Sequence, residues 1–358
     1  MKKIRILCTL LIIVLLISSC AGSKKPAKQP DPEDEVYTDV EQEEQEEIPI
    51  IETGFINPLT GERTLEKEEQ VKLRPVAVSV NNLISAQKVQ TGLEEADIVY
   101  ESYVEGGITR LLAVYKDISK IAEIGTVRSA RYDYVDLACG DDALFVHAGV
   151  DYDFCQPHIK KLGLDSKNML ENSYYKYAYR IKNGLALEHT LYTTGGNIAK
   201  MIADHGIRST VNETHAGNWQ NFKETASPLP GGAATKITAA FSGSYISSFQ
   251  YDAATDKYIK QNHNDKNSGN PLSVKNVVVL FTDTGYFDSQ GYRVNISLEG
   301  GTGYYFSNGT YQPINWKKGG TYDRVVLTDE AGAPLAYNPG SSWVCIVNNN
   351  MRSKFVME

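Results

Sequence analysis

The densest polar stretch of the chain runs from Asp97 to Asp136 and holds Asp97, Glu101, Glu105, Arg110, Arg128, Arg131, Asp133 and Asp136. Its three arginines have an obvious chemistry, because the planar guanidinium fork grips a phosphate or a carboxylate through two parallel hydrogen bonds. Arg128 and Arg131 flank Ser129-Ala130, where a helix is expected to begin. Two cations at a helix N-terminus oppose its dipole unless an anion sits with them, and the free N–H groups of the first turn would bind that anion too. The stretch therefore reads as an anion site, with Arg110, Arg128 and Arg131 as the grip and Asp97 or Glu101 beside it. The competing reading is a structural salt-bridge network among the same groups. Glu101 and Arg110 flank the Gly106-Gly107 turn and would pair across a hairpin. Strand alternation would put Tyr103 and Glu105 on the face of Glu101.

A second polar cluster comprises His147, Asp151, Asp153, His158 and His189, joined in the candidate set by Glu105. Such a set serves metal binding or acid–base work. Its spacing matches no HExxH-type signature, so hydrogen-bonded structure is the favoured reading, and neither a metal nor a cofactor is expected. Cys139, Cys155 and Cys345 fall in no CxxC or zinc-like spacing; buried or free thiols are favoured, with a Cys139–Cys155 bridge left open. The chain has no GxSxG, no phosphate-binding loop and no GxGxxG opening a helix. Tyr251, Tyr304, Tyr305, Phe306, Trp316 and Trp343 offer stacking faces, but core packing accounts for most of them.

The elements that position these groups come in two styles. Up to about residue 215, strands and helices are mixed: strand-like Pro75–Val80, a hairpin of Ala96–Tyr103 and Ile108–Tyr115, a helix over Ala130–Ala138, a strand at Ala143–Val146 and a helix over Thr194–His205 stopped by Gly206. After a polar stretch, strand candidates dominate: Thr235–Phe241, Val274–Phe281, Tyr292–Ser297, Tyr304–Ser307, Arg324–Leu327 and Trp343–Val347. The expected fold is α+β, an N-terminal mixed α/β lobe (55–215) followed by a mainly antiparallel β lobe (216–358).

Ahead of both lies an export signal. Lys2, Lys3 and Arg5 precede an apolar run, Leu7 to Ile17, too short for a comfortable membrane span. Residues 1–19 read as a signal peptide, and Ile17-Ser18-Ser19-Cys20 is similar to the lipobox of bacterial lipoproteins, which implies a lipid on Cys20. Residues 20–54 read as an acidic, disordered tether, from Asp31 to Glu47 crowded with carboxylates and poor in large apolar side chains. Much of the net charge of −8 resides there, so the body is close to balanced and lacks the basic face that nucleic-acid binding needs.

Several strings carry a resemblance: Arg74-Pro75-Val76-Ala77-Val78, Ala96-Asp97-Ile98-Val99-Tyr100-Glu101, Val104-Glu105-Gly106-Gly107-Ile108-Thr109-Arg110 and Val127-Arg128-Ser129-Ala130-Arg131. Later come Asn276-Val277-Val278-Val279, Gly303-Tyr304-Tyr305-Phe306-Ser307-Asn308-Gly309 and Asn338-Pro339-Gly340-Ser341-Ser342-Trp343-Val344. From about residue 74 to 348 the chain resembles the YerB-like lipoprotein family, which implies paired N- and C-terminal domains and no particular reaction. It departs from the family at Asn81, where an aspartate is common, and at Thr126, where a proline is. The order of a strand and an Arg-bearing turn is also similar in layout, though not in motif, to the LytR-CpsA-Psr envelope phosphotransferases. Three functions follow as expectations. One is an extracytoplasmic, membrane-anchored module binding a cell-wall polymer or a membrane-protein partner; another is a phosphotransferase or hydrolase acting on an anionic envelope substrate; the third is a ligand-capturing lipoprotein.

Overall fold

The computed structural model describes residues 54–216, 220–264, 269 and 271–358; the expected signal, Cys20 and the tether up to residue 53 lie outside them. Ten strands form one large sheet: β1 (Val76–Asn81), β2 (Ile98–Val104), β3 (Ile108–Tyr115), β4 (Leu144–His147), β5 (Ser166–Asn168), β6 (Asn276–Thr282), β7 (Gly300–Ser307), β8 (Thr310–Lys318), β9 (Val325–Thr328) and β10 (Ser342–Asn348). Their spatial order is β9-β8-β7-β6-β10-β2-β3-β1-β4-β5. The α+β expectation holds, with a mixed N-terminal region followed by mostly antiparallel strands. In the N-terminal part β1, β4 and β5 run parallel, and the β2–β3 hairpin turns through Glu105–Gly107. Strand β10 is the seam: it runs parallel to β6 on one side and to β2 on the other, so one hydrogen-bonded sheet joins strands from the earlier and later parts of the described residues.

The central strands are apolar on both faces because both faces are covered. One face packs Val76, Val78, Val80, Leu111, Val277, Val279 and Trp343 against Ile198 and Met201 of the helix Gly195–Asp204 and against Ile237, Phe249 and Tyr258 of a five-stranded sheet. That second sheet is ordered Pro271–Val274, Lys257–Asn264, Ile246–Asp252, Lys236–Ala240, Val356–Met357. The opposite face packs Ala77, Ile98, Leu112, Val114 and Phe145 against Tyr134, Val135, Leu137 and Ile159 of the helices Tyr132–Gly140 and Cys155–Leu162. The former helix starts at Tyr132, two residues later than expected, with Arg131 as its N-cap.

Cys139, Cys155 and Cys345 are buried free thiols, so the Cys139–Cys155 bridge left open above is not formed. No helix among the described residues is long and apolar enough to cross a membrane.

Candidate functional site: an arginine cluster between two clefts

The hairpin register separates Glu101 from Arg110. Arg110 stands opposite Ser102 on β2 and Asn81 on β1, whereas Glu101 stands opposite Leu111. A one-residue offset on a pleated strand reverses the face. The expected cross-hairpin pair therefore does not form. Glu101, 1 % exposed, lies between the two sheets. Its Oε1 accepts from Asn82 Nδ2 at 3.0 Å and Thr109 Oγ1 at 2.9 Å, and its Oε2 from Ser247 Oγ at 2.7 Å and Trp343 Nε1 at 3.0 Å. Lys260 Nζ donates to the same Ser247 hydroxyl at 2.9 Å. Every lone-pair direction of this carboxylate has a donor, which is what a buried charge needs. Asp97 is equally remote, at the start of β2, about 17 Å along the strand from Ser102. It accepts from Asn57 Nδ2 at 2.7 Å and from the Lys116 N–H at 2.6 Å, and burial pushes its pKa up to about 6.

The three arginines do come together. The segment Val127–Arg131 crosses the carboxyl ends of parallel β1 and β4: the Arg128 N–H donates to Ser79 O, the Ala148 N–H to Arg128 O, and the Ala130 N–H to Gly149 O. Arg110, 2 % exposed, lies beneath this segment and donates Nη1 to Ser129 O at 3.0 Å. Neither strand neighbour of Arg110 is acidic. Its guanidinium is pushed well down from its ordinary pKa by burial and then by the charges of Arg131 and Arg128. Arg128 is pushed down by burial too, more than Glu188 raises it, and Arg131 adds to the effect. Arginine does not lose its proton at neutral pH, so these directions reflect charge buried first of all, with neighbouring positive charge adding to it. The Nε atoms of Arg110, Arg128 and Arg131 are all buried and without a hydrogen-bond partner among the described residues. His189 joins the group, with Nδ1 held by Asn81 Nδ2 at 2.7 Å and its pKa lowered by burial and by Arg128.

The segment divides two clefts. A cleft of about 190 Å³ is lined by Arg128, Arg180, Glu188, Leu170 and Leu187, so two cations face one acid. Arg180 holds its guanidinium in place by donating Nη1 to Leu187 O at 2.6 Å and Thr190 Oγ1 at 3.1 Å. A cleft of about 420 Å³ lies on the other side, where Arg131 Nη2 is 2.6 Å from Glu105 Oε2 and Asp151 pairs with Arg293. Glu105 therefore faces Arg131, apart from the face of Glu101.

The second expected cluster is dispersed. His147, buried, bonds Gly149 O at 2.8 Å and Ser166 Oγ at 2.7 Å, and burial lowers its pKa to about 4. His158 bonds Asp136 at 2.8 Å and stacks on Tyr132. Asp151 Oδ1 accepts from the N–H groups of Asp153 and Phe154, and Asp153 itself is exposed. Among the described residues no group of three or more His, Cys, Asp or Glu is placed to hold a metal ion.

Arg180, His189 as an arginine neighbour, and Arg293 were not foreseen as members of these sites. Arg293 meets Asp151 across 142 residues of chain, and no local pattern signals such a pair.

The two family models that match the chain are the N-terminal domain of a protein of unknown function (DUF3048), over residues 59–208, and the C-terminal domain of the same family, over residues 237–344. The chain belongs to the YerB-like DUF3048 family. Within that family the curated relative named "Putative lipoprotein YerB", from Bacillus subtilis (strain 168), is 28 % identical over 369 residues, 97 % of this chain and 96 % of the relative. The crystal structure of the YerB protein from Bacillus subtilis superposes with a TM-score of 0.72 at 27 % identity, covering 85 % of this chain and 99 % of that one. The arginine cluster lies inside the span matched by the N-terminal YerB-like model, and Arg293 inside the C-terminal one.

Proposed function

We propose that this YerB-like chain is a lipid-anchored extracytoplasmic module that binds a phosphate-bearing cell-wall polymer at its arginine cluster. In this reading Cys20 carries the lipid, and Arg128 and Arg180 contact a phosphate in the 190 Å³ cleft. Arg110 supplies positive charge from beneath, while Arg131, paired with Glu105, lies on the far side of the segment. The observation that carries it is Arg110: a guanidinium 2 % exposed, with two further arginines close enough to depress it and no carboxylate bonded to it. Burying such a charge unpaired costs several kcal/mol, roughly, unless a counter-charge arrives. A bound phosphate is that counter-charge. Binding is favoured over catalysis because two of the candidate acid–base groups are engaged away from the cleft. His147 is held neutral by burial, and Glu101 is saturated with donors.

Cosedimentation of the chain with purified wall sacculi tests the reading. Sacculi that carry their phosphate polymer should retain the wild-type chain in a salt-sensitive way. Sacculi stripped of that polymer, or an Arg128→Ala chain, should retain at least about tenfold less, the loss expected for one charge-assisted contact. Equal retention with and without the polymer contradicts it.

A further inference from the structure

The larger cleft has a different character from the anion cleft beside it. Its cations are matched: Arg131 by Glu105 and Arg293 by Asp151, so two guanidinium groups and two carboxylates leave no net charge. Its remaining walls are rings. Phe287 packs against Tyr132 with centroids 4.6 Å apart and stacks on Phe154 at 5.1 Å, and all three rings are half-buried and line the cleft, Tyr132 with one face taken by His158. Tyr292 stands at the rim, 66 % exposed. The loop presenting these groups is held in shape. Asp288 accepts from the N–H groups of Tyr292 at 2.9 Å and Arg293 at 2.6 Å, and the Phe287 N–H donates to Arg293 O at 2.9 Å. The Arg293 pair uses Nε, so its two Nη groups make no hydrogen bond to a described residue.

A volume of about 420 Å³ suits one or two pyranose rings. A free anion gains little here, because each cation already has its acid. A flat, hydroxyl-rich molecule gains more: vicinal hydroxyls can donate to Glu105 or Asp151 and accept from Arg131 or Arg293. Its C–H face can lie on Tyr292 or Phe287, a ring with a negative face. We infer that this cleft is a saccharide site that takes uncharged sugars. The inference stands apart from the anion reading, because Tyr292, Phe287 and Arg293 line this cleft and not the smaller one.

Titration of the full chain with a neutral N-acetylglucosamine tetrasaccharide, followed by calorimetry and by saturation transfer from protein to sugar protons, tests it. Saturable binding is expected in the millimolar range or tighter. Tyr292→Ala, at an exposed position where folding is not at stake, should weaken binding by about fivefold or more, the effect of one stacking ring. Arg128→Ala should leave it unchanged. The inference is overturned by the absence of saturable binding, by equal affinity in the Tyr292→Ala chain, or by loss of sugar binding in the Arg128→Ala chain.

Discussion

At Arg110 two accounts of the polar cluster make opposite forecasts. If the arginine served only as structural glue, removing it would leave broken partners and cost about 3–5 kcal/mol. Its single side-chain bond is to Ser129 O, and the opposing charges of Arg131 and Arg128 weigh more on it than the favourable ones of Tyr134 and Glu105. Arg110→Met should therefore stabilise the ligand-free chain, by about 1–2 kcal/mol in urea unfolding, while weakening anion binding. Destabilisation would return Arg110 to a structural role. His147 gives a pH signature at the same scale. Its pKa is depressed to about 4 in the fold, so the stability it contributes is present above about pH 6.5 and is lost as pH falls towards 4, up to roughly 3 kcal/mol. Buried Asp133, raised to about 6, acts in the opposite sense, its contribution being lost as pH rises from about 4 to 6. The wild-type slope is thus a sum of opposing effects. The difference in unfolding free energy between wild type and His147→Gln, measured from pH 7 to pH 4.5, isolates the histidine and should shift in the variant's favour as pH falls.

Local elements were legible where periodicity and turn chemistry act alone. The β2–β3 hairpin followed from two β-rich runs around Glu105-Gly106-Gly107, and both Gly106 and Gly107 adopt the positive φ that such a turn requires. The helix stopped by Gly206 ended within a residue or two of its expected bounds. Register was not legible. Pairing Glu101 with Arg110 assumed a symmetric turn, and the actual offset of one residue sends the two charges to opposite faces of the sheet. The helix Cys155–Leu162 was missed because Pro157 and two lysines hide a short amphipathic face. Close strand packing yields a prediction here. A Cβ on Gly303 of β7 would lie 2.1 Å from Val279 O on β6, backbone that cannot yield without breaking the ladder. Gly303→Ala should cost about 1–3 kcal/mol in urea unfolding, as overpacking does. An unchanged midpoint would contradict the packing described.

At the scale of the whole molecule, the seam decides how the site is built. Because β10 is hydrogen-bonded to both β2 and β6, the N-terminal arginines and the C-terminal loop carrying Arg293 are held by one sheet. The sequence could suggest two styles of lobe, but not that the last long strand inserts between them. That placement brings Trp343 to Glu101 across 242 residues, a contact with no local signature. A ligand held on such a body should stabilise all of it, by RT ln(1 + [L]/Kd), about 2.7 kcal/mol at a hundredfold excess over Kd. The central claim is that the cluster of Arg110, Arg128 and Arg131 is an anion site. Its most direct test is the midpoint of thermal unfolding for the wild-type and Arg128→Ala chains in rising concentrations of a soluble glycerol-phosphate oligomer at fixed ionic strength. The wild-type midpoint should climb and the variant's should stay nearly flat; no climb in the wild type, or an equal climb in both, would contradict the claim.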